Sequence, residues 1–178
     1  MATISICYGT NDGQTATVAE HIARVIEDLG HRAQVVDLKS PTTHPLTGAD
    51  AVMVGASIHV NKHVPYVIDF VRANRDELQA LRSAFFSVSL SAQGNPAQAS
   101  GYIEEFCADT GWQPTDCIAI AGALRYTSYG LVKRQVMKQV ARDKGLSTDT
   151  TADAIYTDWD AVTAFTERFV SEVTPVSG

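Results

Sequence analysis

The sequence predicts an α/β fold in which helices cover both faces of a doubly wound parallel sheet. Apolar, strand-like stretches alternate with helical stretches along the chain, which is the order of elements in α/β proteins. The segment DAVMVGASI, which begins at Asp50, is apolar almost throughout, as a strand covered on both faces requires. A length of 178 residues is close to that of one ordinary domain. We therefore expect one domain built around a buried sheet.

Five strands can be placed in order. The first covers residues 3–8 and the second covers residues 33–38. The third begins at Asp50, the fourth is SAFFSVSL from Ser83, and the fifth is CIAIAGAL from Cys117. Right-handed crossover connections leave few topologies for such a sheet.

The segments between the strands have apolar residues at helical spacing. Gly30 is placed to end the first helix, and Pro65 opens a helix whose apolar positions continue to Leu81. Asn95 and the proline after it break the chain before the next helix. Residues 125–156 interrupt the pattern after the fifth strand, and they predict an inserted amphipathic helix followed by a short strand.

Composition limits the classes of partner. A net charge of -6 disfavours nucleic acid and anionic membrane surfaces as electrostatic partners. Cys7, Cys107 and Cys117 are widely spaced and form no CxxC motif, which predicts reduced thiols packed inside a cytoplasmic protein and no metal site. No apolar stretch approaches the ~20 residues of a membrane span, and a basic flank before an apolar leader is missing. We expect a soluble, unprocessed protein.

The junction between the first strand and the first helix predicts an anion site. A helix N-terminus at the carboxyl end of a parallel strand offers unpaired amides and the positive end of the helix dipole. The segment contains no Lys or Arg, which excludes a Walker A loop, and Gly9 and Gly13 have the wrong spacing for the dinucleotide fingerprint. A hydroxyl-and-amide cradle for one phosphate monoester remains. The alternative is local, with Thr10 or Asp12 capping the helix and Gly13 relieving a turn. The cradle comprises Thr10, Asn11, Asp12, Gly13, Gln14 and Thr15.

This junction resembles the signature of the flavodoxin family. The resemblance implies that the cradle binds the phosphate of FMN. It also implies a five-stranded sheet of order 2-1-3-4-5, with the flavin near the switch point between the first and third strands. The matching positions are Ile6, Tyr8, Thr10, Gly13, Thr15, Ala19 and Ile22.

A narrower resemblance covers residues 4–169. The segments DGQT, VGASI, SAFFSVSL, GWQP, IAGALRY and YTDW are similar, in order and spacing, to those of the bacterial FMN-dependent, quinone-linked protoporphyrinogen dehydrogenase family. The resemblance implies an oxidoreductase of heme biosynthesis. Such an enzyme oxidises protoporphyrinogen IX, or another small reductant, and passes electrons to a quinone or a redox protein. It further implies peripheral contact with the inner face of the membrane through residues 125–145.

Two further loops follow strands at the same edge of the predicted sheet. One is ASIHVNKH, residues 56–63, after the third strand, and the other is SLSAQGN, residues 89–95, after the fourth. Because ligands of doubly wound folds lie at the carboxyl ends of the strands, we expect these loops to hold the isoalloxazine ring. The residues concerned are Ser57, Ile58, His59 and Val60 on one side of the ring, and Ser89, Leu90, Ser91, Ala92 and Gln93 at its pyrimidine edge.

Two residues are candidates for catalysis. His59, placed near flavin N5, can shuttle a proton; the alternative for His59 and His63 is a position in a surface loop, and a metal pair is disfavoured because the loop does not hold them on one helical face. Arg125 can pair with a substrate propionate, while Tyr126 and Tyr129 cover an exposed ring. The alternative is that Arg125 forms a surface ion pair and the tyrosines pack under the insertion.

The predicted unit is one FMN-binding domain over residues 1–173, with a frayed tail at 174–178. Three other functions stay open: a flavodoxin-type electron carrier, an NAD(P)H-dependent quinone reductase, and an interaction module that has lost FMN. The acidic net charge favours a carrier, since carriers often meet basic partners by electrostatic steering. The basic insertion favours the dehydrogenase.

Overall fold

A computed structural model of the chain describes residues 1–41 and 44–174. The last residues of the predicted tail, 175–178, lie outside this part of the chain. In chain order the elements are β1 (Thr3–Gly9), α1 (Gln14–Asp28), β2 (Arg32–Asp37), β3 (Ala51–His59), β4 (Lys62–His63), α2 (Pro65–Ala73), α3 (Arg75–Ala80), β5 (Arg82–Ser89), α4 (Ser91–Gly94), α5 (Pro96–Thr110), β6 (Asp116–Ala121), β7 (Ala123–Leu124), α6 (Leu131–Asp143), β8 (Ala154–Ile155) and α7 (Trp159–Ser171), with a 3₁₀ turn at Tyr126–Ser128.

Five long strands form a parallel sheet in the order β2-β1-β3-β5-β6. Counted along the chain without the short β4, this is the order 2-1-3-4-5, so the predicted fold class and strand order are confirmed. The central strand β3 is buried from Ala51 to Ala56. The near-continuous apolar run that predicted this strand therefore reflects cover on both faces.

Helices cover both faces of the sheet, and each interface contains its own apolar cluster. On one face α1 and α7 pack against β1 and β5, with Ile22 and Phe169 fully buried. On the other face α2, α3 and α5 cover the sheet, where the rings of Phe85 and Phe106 stack with centroids 4.2 Å apart. Gly55 in β3 leaves room for an aromatic ring, since a Cβ there would lie 2.0 Å from Phe86 Cζ.

Two local predictions are wrong. The segment after Pro65 is not one helix, because α2 ends and α3 begins at Asn74, whose side chain donates a hydrogen bond to Phe70 O. The predicted loop over residues 56–63 is a hairpin in which β3 continues to His59 and pairs with β4. Its turn depends on left-handed backbone at Val60 and Asn61, with φ of 48° and 63°, a conformation that is rare for a β-branched residue.

The insertion after β6 has the predicted content. Gly122 ends the parallel strand, and β7 pairs in antiparallel fashion with β8, so that the two short strands enclose α6. A small apolar cluster holds this unit together, with Tyr126 and Ala141 fully buried. Within residues 1–41 and 44–174, every helix is too short or too polar to cross a membrane.

Candidate functional site

A cleft opens at the carboxyl ends of β1, β3, β5 and β6, where parallel sheets of this type bind ligands. It encloses about 450 Å³, including its open mouth. One wall is the β1–α1 junction, the opposite wall comes from the ends of β3 and β5, and α6 closes one side. The lining residues are Thr10, Asn11, Asp12, Gln14, Thr15, Ser57, Ile58, Val88, Ser89, Leu90, Gly122, Ala123 and Met137.

The β1–α1 junction is a preformed loop. Gly13, with φ of 88°, precedes α1, and its amide donates to Thr10 Oγ1 at 2.9 Å. The Thr10 amide donates to the Tyr66 hydroxyl at 2.9 Å, which in turn donates to Thr10 O at 3.2 Å. The loop is thereby fixed from inside and from α2, while no side chain caps α1 within the described chain. The first amides of α1 are left facing the cleft, as an anion site requires.

Two buried hydroxyls at the cleft have unmet hydrogen-bonding capacity. Thr15 is fully buried, and neither Thr15 Oγ1 nor Ser57 Oγ has a hydrogen-bond partner among the residues that the structure describes. Leaving a buried hydroxyl without a partner costs about 1–3 kcal/mol. A phosphate at the start of α1 would satisfy Thr15, and a polar ring edge would satisfy Ser57. These donors fit a flavin nucleotide.

Arg125 lies against the same helix terminus. Its guanidinium donates to Gln14 Oε1 at 2.7 Å and to Thr17 Oγ1 at 3.4 Å. Gln14 is itself buried, and its amide donates to Thr157 Oγ1 at 2.8 Å. Thr157 completes the chain of bonds by donating to Ala121 O at 2.7 Å. This network brings a cation to a junction whose own sequence carries none.

The insertion is tied to both loops of the cleft. At the start of α6, Lys133 forms an ion pair with Asp12. Just after α6, Lys144 donates to Ser91 Oγ at 2.8 Å and to Gln98 Oε1 at 3.2 Å. Between these two anchors, Met137 contributes to the wall of the cleft. The insertion therefore forms one side of the cleft. One end of α6 contacts the β1–α1 junction, and the other end contacts the segment after β5.

The two histidines of the β3–β4 hairpin have opposite environments. His59 is exposed at the end of β3. His63 is only 5% exposed, and its Nε2 is 2.8 Å from Ser87 Oγ, so the expectation of a surface loop is wrong for this residue. Its ring packs edge-on against Phe85 and Phe106, and burial lowers the pKa of His63 to about 4. In the described part of the chain, His, Cys, Asp and Glu do not gather in groups of three or more that could hold a metal ion.

Comparison with known proteins agrees with this geometry. A family model described as a flavodoxin domain matches residues 5–151. The chain belongs to the flavodoxin family.

The chain is also similar to two curated proteins named protoporphyrinogen IX dehydrogenase (quinone). The one from Leishmania major is 35% identical over 168 residues, which cover 92% of this chain and 73% of the relative. The one from Escherichia coli K12 is 33% identical over 163 residues, or 90% of each chain. Within the flavodoxins, the chain therefore belongs to the family of these dehydrogenases.

Solved flavodoxins share the fold at low sequence identity. Oxidised flavodoxin 1 from Bacillus cereus is 18% identical and superimposes with a TM-score of 0.60, covering 97% of this chain and 100% of that protein. A short-chain flavodoxin associated with a bacterial microcompartment is 14% identical, with a TM-score of 0.62, and covers 98% of this chain and 100% of its own. These two structures share the fold with this chain, and the match to the flavodoxin domain implies that the chain binds a flavin.

In this flavodoxin fold, the predicted site residues fall into two groups. The residues that meet at the cleft are Thr10, Asn11, Asp12, Gln14, Thr15, Ser57, Ile58, Ser89 and Leu90. The others, which do not line it, are Gly13, His59, Val60, Ser91, Ala92, Gln93 and Arg125. Gly13 instead shapes the turn, Ser91 binds Lys144, and Val60 is 80% exposed at the hairpin tip.

Sequence reasoning missed four lining residues of the flavodoxin cleft: Val88, Gly122, Ala123 and Met137. Val88 precedes the predicted loop by one residue, and its position on β5 was the available signal. Gly122 and Ala123 stood within a stretch assigned to the fifth strand. Met137 comes from the insertion, and local sequence carries no signal that α6 folds back over the cleft.

Proposed function

We propose that this chain is an FMN-dependent protoporphyrinogen IX dehydrogenase that passes electrons to a quinone. The observation that carries the proposal is the buried, unpartnered hydroxyl of Thr15 at the start of α1. It lies in a cradle that suits one phosphate, in a chain whose relatives carry that enzyme's name. A phosphate monoester distinguishes FMN from riboflavin. FAD, with its pyrophosphate and adenosine, would need further donors beyond this loop.

The residues that would hold FMN divide between its two ends. The phosphate end would be held by Thr10, Asn11, Asp12, Gly13, Gln14 and Thr15, and the ring by Ser57, Ile58, Ser89 and Leu90 in the cleft, with His59, Val60, Ser91, Ala92 and Gln93 in the adjoining segments beside it. Bound FMN supplies two-electron redox chemistry. The protein would orient the ring, exclude water from the phosphate end, and accept or release protons.

His59 is the proposed proton carrier, since it is exposed at the end of β3, two residues from Ser57 in the cleft. Two-electron oxidation at a porphyrinogen carbon removes a hydride from that carbon and a proton from a pyrrole nitrogen, and an imidazole can accept such a proton. Ser57 and Ile58 would hold the ring in reach of this group.

Arg125 is assigned to the phosphate end of the cofactor. Its guanidinium already donates to Gln14 and Thr17 on α1, so a substrate propionate would have to compete with these partners. A cation at this position offsets the negative charge of a phosphate. Arg125 would thereby supply the charge that the loop itself lacks.

We further propose that the insertion reaches a membrane surface from the cytoplasmic side. Leu131 and Val132 are each 81% exposed, Val136 is 56% exposed, and none of these three residues of α6 lines the cleft. Lys138 and Arg142 lie on the same helix, where basic side chains can meet anionic lipid. A quinone dissolved in the bilayer would then be close to the cleft. The functional unit would be the single domain over residues 1–173.

A flavodoxin-type electron carrier is the second candidate, and the net charge of -6 favours it, since an acidic surface steers association with basic redox proteins. A carrier has no small-molecule substrate. The two functions therefore predict different responses to a porphyrinogen.

The test is anaerobic mixing of the FMN-loaded protein with protoporphyrinogen IX, followed by addition of menaquinone or ubiquinone. The dehydrogenase predicts bleaching of the flavin's visible band, porphyrin fluorescence, and recovery of the band when quinone is added, all faster than with free FMN. A flavin that stays oxidised with porphyrinogen, yet exchanges electrons with a reductase protein, would overturn the dehydrogenase in favour of the carrier.

A further inference from the structure

Two of the three cysteines, Cys107 and Cys117, lie close together in the fold, although they belong to different elements. Cys107 is in the last turn of α5 and is half-buried, and Cys117 is in β6 and is exposed. The two side chains lie close enough together for each to shift the pKa of the other. The expectation that all three cysteines are packed inside is therefore wrong for Cys117.

The sheet and the helix above it account for this contact. Cys117 pairs in register with Phe85 of the neighbouring strand, so the two side chains point to the same face of the sheet. On that face the ring of Phe106 stacks on Phe85, with centroids 4.2 Å apart and planes 7° from parallel. Cys107 follows Phe106 in α5, and α5 lies over both β5 and β6. Two core rings thus fix the helix in the position that brings the thiols together.

The two thiols have unequal reactivity. The neighbouring Cys117 thiol holds the pKa of Cys107 below its usual value, while Cys107 and, after it, burial raise the pKa of Cys117. Since a thiolate attacks a disulfide and a thiol does not, Cys107 is the expected nucleophile. Cys7 provides an internal contrast, because burial raises its pKa to about 11 and removes it from solvent.

We propose that Cys107 and Cys117 form a reversible disulfide site that takes a low-molecular-weight disulfide of the glutathione class as its oxidant. The Cys107 thiolate attacks one sulfur of that disulfide, forms a mixed disulfide and expels the first small thiol. Cys117 then attacks the Cys107 sulfur, loses its proton to solvent, and expels the second small thiol. The protein loses two electrons and two protons, and one small disulfide becomes two thiols.

The site lies at the end of the sheet opposite the cleft. Cys117 is near the start of β6, whereas Gly122, just beyond its carboxyl end, lines the cleft. β6 is the edge strand of the sheet. The disulfide therefore joins the end of α5 to an edge strand, and we expect it to protect β6 from local opening while leaving cofactor binding unchanged.

The test uses the full chain in buffers of graded oxidised and reduced glutathione, with alkylation by N-ethylmaleimide and intact-mass measurement. The expected product is about 2 Da lighter than the reduced protein before labelling. N-ethylmaleimide does not label either cysteine of the pair, and peptide mapping finds Cys107 joined to Cys117. Cys7→Ala is the matched control and should react as the unaltered protein does. Cys117→Ser should stop at one glutathione adduct on Cys107, and circular dichroism shows that each variant is folded.

Three outcomes would overturn the proposal. One is accumulation of glutathione adducts on the unaltered protein with no internal disulfide, and another is a disulfide that involves Cys7. The third is a dimer on a non-reducing gel, which would mean that the exposed thiol of Cys117 reacts between chains. FMN binding, titrated on the same samples, reports separately on the cofactor site.

Discussion

Replacing Thr15 with valine separates the proposed phosphate-binding role of its hydroxyl from any structural role. Thr15 is fully buried and its hydroxyl has no partner in the described chain, so Thr15→Val removes no hydrogen bond within the protein and keeps the β-branched shape. The apoprotein should be at least as stable as the unaltered protein, because an unsatisfied buried hydroxyl has been replaced by a methyl group.

The cofactor should respond in the opposite direction. A hydrogen bond to a charged group contributes about 1.5–3 kcal/mol, and each 1.4 kcal/mol is about tenfold in affinity. The Kd for FMN should therefore rise by about 10- to 150-fold, while the Kd for riboflavin, which lacks the phosphate, should stay within about twofold. Flavin fluorescence titration measures both values, and urea unfolding measures the stability of the apoprotein.

Thr166→Val is the matched control. Thr166 is equally buried, but its hydroxyl donates to Val162 O at 2.8 Å within α7. This substitution should lower stability by about 1 kcal/mol and leave both flavin affinities unchanged. If Thr15→Val lowers the affinities for FMN and riboflavin equally, or lowers neither of them, then Thr15 does not contact the phosphate and the cradle assignment is wrong.

Two further predictions concern residues around the cleft, and a third concerns the buried His63. Arg125→Met should raise the Kd for FMN by about tenfold, more at low than at high ionic strength, and leave riboflavin binding unchanged; equal loss for both ligands would contradict a phosphate role. Lys133→Met should speed FMN release by about two- to fivefold in stopped-flow displacement, because its ion pair with Asp12 is partly exposed; an unchanged rate would show that this contact does not hold the loop. Because burial lowers the pKa of His63 from 6.5 to about 4, the unfolded chain takes up a proton between these values and the folded chain does not. Stability should therefore be complete above pH 6.5 and fall by up to about 3 kcal/mol toward pH 4, a loss that urea unfolding should find reduced in His63→Gln.

The fold could be predicted because its main signals are local and repeated. Five apolar strands, with helices between them, specify a buried parallel sheet whatever the details of each turn. The errors came from single residues that override a periodic pattern. Asn74 divides a helix through a bond to its own preceding turn. Val60 takes a left-handed backbone that its residue type disfavours.

The candidate site was predictable to the extent that it is continuous in sequence. The junction from Thr10 to Thr15 carries its own strand end, turn and helix start, so its chemistry can be derived without the rest of the chain. The positions of Met137 and Arg125 depend on how the insertion folds back, and no local pattern encodes that. The Cys107–Cys117 contact also depends on tertiary packing, through the stack of Phe85 on Phe106.

The insertion cannot be tested by deleting it. Lys133 forms an ion pair with Asp12 between β1 and α1, Lys144 donates to Ser91 Oγ after β5, and Met137 forms part of the cleft wall. Loss of activity on deletion would therefore follow from lost FMN as readily as from lost contact with a membrane or a quinone. Substitutions on the outward face avoid this ambiguity, since Val132 and Val136 are exposed and lie outside the cleft. If Val132→Ser with Val136→Ser retains FMN and still oxidises porphyrinogen with a water-soluble quinone, but loses activity with a quinone held in vesicles, the outward face serves the acceptor side of the reaction. Equal activity with both quinones would place the route to the acceptor elsewhere on the surface.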